Sequence, residues 1–219
     1  MTQIHAIDAA ATLWHDAEGG REGSTLLIML HGLGSHEGDL FSMGPELPRN
    51  LTIASLRAPL EYGDGWAWFA SGSQDSTDQT LINASAAGVL EWLDSLPEKF
   101  ERIGVLGFSQ GGAMSLQLAR LAPERFDFLV QLSGFVAAGE HEGDARLRAM
   151  SPQIPTFFGR GTLDTVIGPA AVARTVPWMH EHLDTHEHTY RIPHSINAHE
   201  LGDIVVFLAE HAPEVEARE

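Results

Sequence analysis

A serine flanked by two glycines lies between a strand-like run and a helix-like run of residues. The segment Arg102–Leu106 is short and apolar, as expected of a buried strand in a parallel sheet. The pentapeptide Gly107–Gly111 follows it, and the mainly apolar run after that contains no proline until Pro123. The turn is too tight for side chains beside Ser109. The pattern therefore predicts a strand–turn–helix unit that raises the serine hydroxyl above the edge of a sheet.

Strand-like and helix-like segments alternate along the chain, which favours an α/β fold with a mostly parallel central sheet and helices on both faces. Strands are predicted over 25–30, 51–56, 102–107, 128–132, 155–159 and 186–192, and helices over 80–95, from Ser109 onward, 169–183 and 199–210. The stretches 58–79 and 134–154 show no regular pattern, and loops of that length are usually functional or mobile. The serine turn in this setting predicts one α/β-hydrolase domain over residues 1–219, without a separate lid domain.

The charge and the cysteine content of the chain exclude several classes of function. The 219 residues carry 13 basic and 30 acidic side chains, a formal net charge of −17, and no cysteine. This charge repels phosphates and anionic lipid surfaces, so we expect neither nucleic acid nor membrane insertion. Without cysteine there is no disulfide or thiol nucleophile, and a cytoplasmic location is expected. The sequence shows neither a bilayer-length apolar run nor a signal-peptide pattern.

A serine nucleophile needs a histidine that accepts its proton and a carboxylate that orients the histidine. In α/β-hydrolases the acid follows a late strand and precedes the histidine along the chain. Asp164 meets this condition, because it lies shortly after the predicted strand 155–159. Asp144 is the weaker alternative, since no strong strand precedes it. An aspartate in a glycine-containing turn can also be a turn former only.

Two histidines compete for the role of base in the segment between the last strand and the last helix. His194 follows the predicted strand directly, where a side chain can lean over the sheet edge. His199 opens the closing helix and is expected to face solvent. Position therefore favours His194, although either residue could be an ordinary surface histidine.

Backbone amides are expected to hold the negative charge that develops on a substrate carbonyl oxygen. One donor comes from the residue after the nucleophile, and another from the loop after an early strand. These positions correspond to the amides of Gln110 and Leu33. His31, which introduces the early loop, is expected to brace that loop.

Four segments together resemble the phospholipase/carboxylesterase family, a group of small serine hydrolases that includes the acyl-protein thioesterases. The segments are Leu30–Ser35, Gly107–Ala113, Gly161–Asp164 and Tyr190–Leu201. The resemblance spans most of the chain, and it implies a Ser–Asp–His triad, no cofactor and hydrolysis of carboxylic esters, sometimes of thioesters or lysophospholipids. Matched residue by residue, the triad falls on Ser109, Asp164 and His194.

The chain departs from the family pattern at several positions near these motifs. Pro193 and Ser195 flank His194 where the family has a glycine and an acidic or other polar residue, and Arg160 stands where relatives commonly carry histidine. Thr165–Ile167 replaces a proline-containing turn. These departures bear on substrate preference rather than on the chemistry.

The segment Trp66–Phe69 matches a family position near the active site. Its aromatic side chains can line an acyl pocket or anchor the loop to the core. Of these residues, Trp68 and Phe69 are expected to contact substrate.

A cluster of histidines raises the alternative of a metal site. His180, His182, His186 and His188 lie close together in the sequence, and His-x-His on a strand points both rings to one face. No third ligand stands at a recognisable spacing, so an exposed polar edge is favoured and no metal is expected.

The sequence as a whole predicts a serine carboxylesterase that hydrolyses short- to medium-chain esters through an acyl-serine intermediate. An acyl-protein or acyl-CoA thioesterase, or a lysophospholipase, would use the same chemistry. A non-hydrolytic ligand-binding protein of the same fold is the alternative from another class, and a perhydrolase or haloperoxidase side activity would share the triad. The expected partner is a small-molecule ester, and the sequence leaves a homodimer open.

Overall fold

The computed structural model describes residues 4–213. Nine strands are present in the described residues: β1 (Leu13–His15), β2 (Thr25–Leu30), β3 (Leu51–Leu56), β4 (Leu60–Tyr62), β5 (Gly65–Ala67), β6 (Arg102–Phe108), β7 (Phe128–Leu132), β8 (Pro155–Gly161) and β9 (Asp184–Tyr190). Six α-helices accompany them: α1 (Gly38–Phe41), α2 (Thr80–Asp94), α3 (Gln110–Leu121), α4 (Glu142–Ala149), α5 (Pro169–His182) and α6 (Ala198–His211).

Seven of the strands form one sheet in the order β1-β3-β2-β6-β7-β8-β9. Only the short edge strand β1 runs antiparallel to its neighbour β3, and the other five pairs are parallel. The predicted mostly parallel sheet is therefore confirmed. Because parallel strands end at the same edge, the loops after β2, β6, β8 and β9 meet there.

The sheet is covered on both faces, as predicted. On the face that we call the α3 side, residues such as Leu26, Val105 and Leu129 pack against α2, α3, α4 and α5. On the opposite α6 side, Leu27, Leu106 and Val130 pack against α1 and α6. Strands β2, β3 and β7 are buried along their whole length, which explains their continuous apolar sequences.

Some elements differ from the predictions. The stretch 58–79 contains the β4–β5 hairpin, and 134–154 contains α4. The sequence pattern does not reveal them because β4 and β5 have three residues each, and because Leu147 is the one apolar side chain that α4 buries. The sequence pattern does not reveal the edge strand β1 either, which also has three residues.

The last strand covers 184–190 rather than 186–192. It lies at the sheet edge, where Asp184, His186 and Thr189 are exposed, so its apolar pattern is weak. Pairing with β8 ends where Gly161 meets Tyr190, which places Arg191 and Ile192 in the following loop.

None of the helices within residues 4–213 is long and apolar enough to cross a membrane.

Candidate active site

Ser109 occupies a sharp turn between β6 and α3. Its φ and ψ angles are 57° and −113°, a left-handed conformation that non-glycine residues rarely adopt. A Cβ atom on Gly107 would lie 2.1 Å from the carbonyl oxygen of Gly111, and one on Gly111 would lie 1.9 Å from that of Leu30. The close approach of the backbone thus requires both glycines, and the predicted strand–turn–helix unit is confirmed.

Ser109, His194 and Asp164 form one hydrogen-bonded chain. The Nε2 atom of His194 lies 2.8 Å from the Oγ atom of Ser109, and its Nδ1 atom lies 2.6 Å from Oδ2 of Asp164. An ionised carboxylate can only accept, so the Nδ1–H group donates to Asp164 and Nε2 accepts from the Ser109 hydroxyl. An imidazole in this arrangement can take up the hydroxyl proton while the carboxylate stabilises the resulting charge.

The loops that carry Asp164 and His194 are held together by backbone hydrogen bonds. The amide of Thr162 donates to Tyr190 at 2.7 Å, and that of Leu163 donates to Ile192 at 3.0 Å. The Oδ1 atom of Asp164 accepts from the amides of Val166 and Ile167 at 2.8 and 3.1 Å. Both oxygens of the Asp164 carboxylate therefore have partners, which fixes its orientation toward the imidazole.

The two rejected candidates lie elsewhere. The His199 side chain is 79% exposed and its nearest carboxylate is Asp203, so the prediction that it faces solvent is confirmed. Asp144 pairs with Arg120 at 2.8 Å and also accepts from the amide of His141 at the start of α4. Neither side chain hydrogen-bonds to Ser109.

Leu33 and Gln110, the expected oxyanion donors, both line the cavity beside Ser109. Gln110 is the first residue of α3, so its amide is one of the free N–H groups at the positive end of a helix. Its side chain is buried and clamps the neighbouring loop, because Oε1 accepts from the amide of Trp68 and Nε2 donates to the carbonyl of Phe69, both at 2.8 Å.

His31 braces the loop that carries Leu33, as predicted. Its ring is fully buried, with Nδ1 2.7 Å from the carbonyl oxygen of Gly32 and Nε2 accepting from the amide of Ala58 at 3.1 Å. Burial lowers the pKa of His31 below its usual value, which favours the neutral ring that these two hydrogen bonds require.

Of the two aromatic residues expected to contact substrate, only Phe69 lines the cavity. The Trp68 side chain is fully buried, and its Nε1–H group donates to the carbonyl of His31 at 2.8 Å. The expectation for Trp68 is therefore wrong: it anchors the loop to the core. Trp68 and Phe69 lie in a bend after β5, and the sequence did not indicate which of the two side chains faces the cavity.

The cavity has a volume of about 300 Å³ and is lined by both apolar and polar side chains. Phe69, Phe135 and Ile167 form an apolar wall, and the polar lining comes from Ser35 and Asp39 and from Ser71, Ser73 and Gln74. Sequence reasoning missed Phe135 and Ile167 because they lie in segments without a periodic pattern. Their only signal was that these segments follow strands at the carboxyl edge of the sheet.

The four clustered histidines do not converge. His180 lies 3.2 Å from Glu187, and the His182 ring stacks on Trp178. His186 and His188 pack instead against Phe207 and Phe157, on the α6 side of the sheet. Within residues 4–213, no group of three histidine, aspartate or glutamate side chains is arranged to hold a metal ion.

Glu200, in the first turn of α6, carries a buried carboxyl group that faces β8. The residue is 1% exposed, and within residues 4–213 its carboxyl oxygens have no hydrogen-bond partner. The carboxyl lies against Gly159 of β8, where a Cβ atom would come within 2.2 Å of Oε1. Burial, assisted by the negative charge of Asp203, raises the pKa of Glu200 to about 7.

This chain is similar in sequence to known hydrolases. The model of the phospholipase/carboxylesterase family matches residues 17–212. Acyl-protein thioesterase 1 of Mycosarcoma maydis is 28% identical over an alignment of 234 positions, which covers 92% of this chain and 97% of that protein.

Two solved structures share the fold. Acyl-protein thioesterase 2 of Zea mays has a TM-score of 0.72 and 23% identity, covering 92% of this chain and 98% of its own. A carboxylesterase of Mesorhizobium loti has a TM-score of 0.75 and 20% identity, covering 86% and 90%. The α/β-hydrolase fold is thereby confirmed, and no separate lid domain is present within residues 4–213. The match to the family model extends over most of the sequence, and the chain therefore belongs to the phospholipase/carboxylesterase family of hydrolases.

Proposed function

We propose that this protein is a serine carboxylesterase that hydrolyses short- to medium-chain carboxylic esters through an acyl-serine intermediate. Ser109 is the nucleophile, His194 the general base and acid, and Asp164 the residue that orients and stabilises the histidine. The observation that carries this proposal is the pair of hydrogen bonds that His194 makes, at 2.8 Å to Ser109 and 2.6 Å to Asp164.

Acylation follows from the direction of these hydrogen bonds. The Oγ atom of Ser109 attacks the ester carbonyl carbon while Nε2 of His194 takes the hydroxyl proton. The negative charge on the carbonyl oxygen is held by the amides of Leu33 and Gln110. When the tetrahedral intermediate collapses, the C–O bond to the alcohol breaks, and the alcohol leaves with the proton from His194.

Deacylation uses the same groups with water as the nucleophile. His194 takes a proton from water, and the oxygen attacks the acyl carbon. Collapse of the second intermediate breaks the bond to Ser109, whose Oγ recovers the proton from His194. The products are the carboxylic acid and the alcohol, and the enzyme returns to its starting state.

The apolar wall of the cavity supports a short or medium acyl chain. The rings of Phe69 and Phe135 meet edge to face with centroids 6.3 Å apart. They separate the main cavity from a second one of about 160 Å³, lined also by Leu81 and Ile82. An acyl chain that extends in this direction beyond the main cavity must displace the ring pair, so turnover is expected to fall as the chain lengthens.

Thioester hydrolysis is the second candidate, because the aligned Mycosarcoma maydis relative is named an acyl-protein thioesterase. Both reactions pass through the same acyl-enzyme, so they differ only in the leaving group. Turnover of an oxygen ester and a thioester with one common acyl group measures the preference directly.

The test of the proposal is a series of nitrophenyl esters of increasing chain length, hydrolysed by the wild type and by Ser109→Ala. We expect a maximum at short or medium chains and a loss of at least about a thousandfold in kcat for the variant. Ser95→Ala, at the end of α2, serves as the control and should keep full activity. Full activity of Ser109→Ala would overturn the proposal.

A further inference from the structure

The residues that line the cavity around Ser109 belong to the cores on both sides of the sheet. Phe69, Phe135 and Ile167 belong to the core on the α3 side, so the apolar wall lies there. Phe108 packs with the core on the α6 side, together with Ile192 and Ile196 from the loop that carries His194. The Phe108 ring lies 4.8 Å from the His194 ring, which places the imidazole on the α6 side of the serine.

This division assigns the two halves of an ester. An acyl chain fits the apolar wall on the α3 side, whereas the departing alcohol must take its proton from Nε2 of His194. The alcohol therefore leaves toward the α6 side.

Asp39 lies on this α6 side of the cavity. It belongs to α1, whose Leu40 is buried in the same core as Phe108. Its Oδ2 atom accepts from the Ser35 hydroxyl at 2.6 Å, which orients the carboxylate, and both residues line the cavity. Asp39 itself is solvent-exposed, so its charge can meet a polar substrate without a large desolvation cost.

The charge of Asp39 is not balanced inside the cavity. Among the described residues that line it, Asp39 is the one carboxylate, and neither arginine nor lysine is present. Two nearby arginines are already paired: Arg57 with Glu37, and Arg174 with Asp75. The chain as a whole carries a formal net charge of −17, which adds to the negative potential at the cavity.

We infer that Ser35 and Asp39 form a leaving-group subsite that favours esters of cationic alcohols over esters of anionic ones. This inference rests on the proposed esterase function and adds the substrate class of the alcohol. It predicts that leaving groups bearing phosphate, sulfonate or carboxylate are disfavoured, whereas an ammonium group gains from the Asp39 carboxylate.

The test uses the butyrate esters of choline, 3,3-dimethylbutanol and 2-sulfoethanol. These leaving alcohols are similar in size, but the first is cationic, the second neutral and the third anionic. Asp39→Asn removes the charge but keeps an oxygen that can accept from Ser35. Glu210→Gln is the matched control, because it removes the same charge far from the cavity. Glu210 lies near the end of α6, and this end of the helix is at the opposite edge of the sheet, where the carbonyl of Ala212 accepts a hydrogen bond from Asn50.

We expect the kcat/KM ratio of the choline ester to the sulfoethyl ester to fall about tenfold in Asp39→Asn and to stay unchanged in Glu210→Gln. The comparison between variants cancels the intrinsic reactivities of the esters. In the wild type, the same ratio should shrink between low and high salt, which tests the charge effect without any substitution.

The outcomes separate this inference from the function on which it rests. If the wild type hydrolyses the esters but Asp39→Asn keeps the wild-type ratio, the leaving-group subsite is wrong and the esterase proposal stands. An equal change in Glu210→Gln would attribute the preference to overall charge and also overturn the subsite. If none of the three esters is hydrolysed and nitrophenyl esters are also inert, the proposed function itself fails.

Discussion

The Nε2 atom of His194 lies 2.8 Å from the Oγ atom of Ser109, although 85 residues separate them along the chain. The contact arises because β6 and β9 both end at the carboxyl edge of the parallel sheet, so the turn after one and the loop after the other meet above it. Asp164, in the loop after the intervening β8, completes the hydrogen-bonded chain.

Separate replacement of His194 and His199 distinguishes the general base from a surface histidine. We expect His194→Ala to lower kcat/KM for a nitrophenyl ester by about a thousandfold or more, because Ser109 then has no proton acceptor. His199→Ala should stay within about twofold of the wild type, since its side chain is 79% exposed. Steady-state kinetics of the two variants checks this, and a larger loss for His199→Ala would reverse the assignment.

Substitution of Asp164 is expected to affect activity, whereas substitution of Asp144 is expected to affect stability. Asp164→Asn should lower kcat by about a thousandfold or more with little change in stability, because an amide no longer holds the required histidine tautomer. Asp144→Asn should lower the free energy of unfolding by about 3 kcal/mol, because it leaves the buried guanidinium of Arg120 without its carboxylate.

Chemical denaturation and kinetics on both variants test this contrast. The folded fraction of Asp144→Asn should keep nearly full activity. Strong destabilisation by Asp164→Asn together with normal stability of Asp144→Asn would contradict the division of roles.

The glycines of the serine turn are predicted to be irreplaceable for steric reasons. In a helix interior, Gly→Ala usually adds about 0.5–1 kcal/mol of stability. At Gly111 the added Cβ would lie 1.9 Å from the carbonyl oxygen of Leu30, so we expect Gly111→Ala to destabilise the fold by about 2 kcal/mol or more.

Gly202 in α6 is the matched control, since a Cβ atom added there would meet no neighbouring atom within 4 Å. Gly202→Ala should therefore be neutral or stabilising in the same denaturation experiment. Equal effects of the two substitutions would show that helix propensity, rather than the close approach at the turn, governs Gly111.

Glu200 gives the protein a predicted dependence of stability on pH. Its pKa is raised from 4.5 to about 7, so the folded state keeps a proton that the unfolded state releases. Stability from this group is present below pH 4.5 and is lost as the pH rises through 7. Glu200→Gln cannot ionise, so its stability relative to the wild type should increase across that window, by up to about 3 kcal/mol.

Urea denaturation of the wild type and Glu200→Gln at a series of pH values measures this difference. Asp203→Asn is a useful companion, because removing the neighbouring charge should shrink the effect without abolishing it. A difference between wild type and Glu200→Gln that is constant from pH 4.5 to 8 would contradict the assigned burial of a neutral carboxyl.

Sequence reasoning recovered the elements whose patterns are strong. The strands 25–30, 51–56 and 128–132 have the predicted bounds because they are buried on both faces and therefore apolar throughout. The positions of Ser109, Asp164 and His194 relative to strand ends led to three residues that the structure brings into hydrogen-bond contact.

The rest depends on contacts that a sequence pattern does not encode. Helix α4 makes the Arg120–Asp144 pair and a capping interaction with His141, and it buries one apolar side chain, Leu147, rather than an apolar stripe. Trp68 is buried and donates to the carbonyl of His31, a contact over 37 positions of the sequence that no local pattern reveals. Phe135 follows β7 and Asp39 belongs to α1, so their proximity at the cavity appears only in three dimensions.

The most direct test of the account is the site of covalent labelling by a fluorophosphonate, which reacts with a serine that a neighbouring histidine activates. Peptide mapping by mass spectrometry should find the phosphonyl group on Ser109 in the wild type, and labelling should be lost in Ser109→Ala and strongly slowed in His194→Ala. A wild-type protein that stays unlabelled, or a label that persists in Ser109→Ala, would contradict the assignment of Ser109 as the nucleophile.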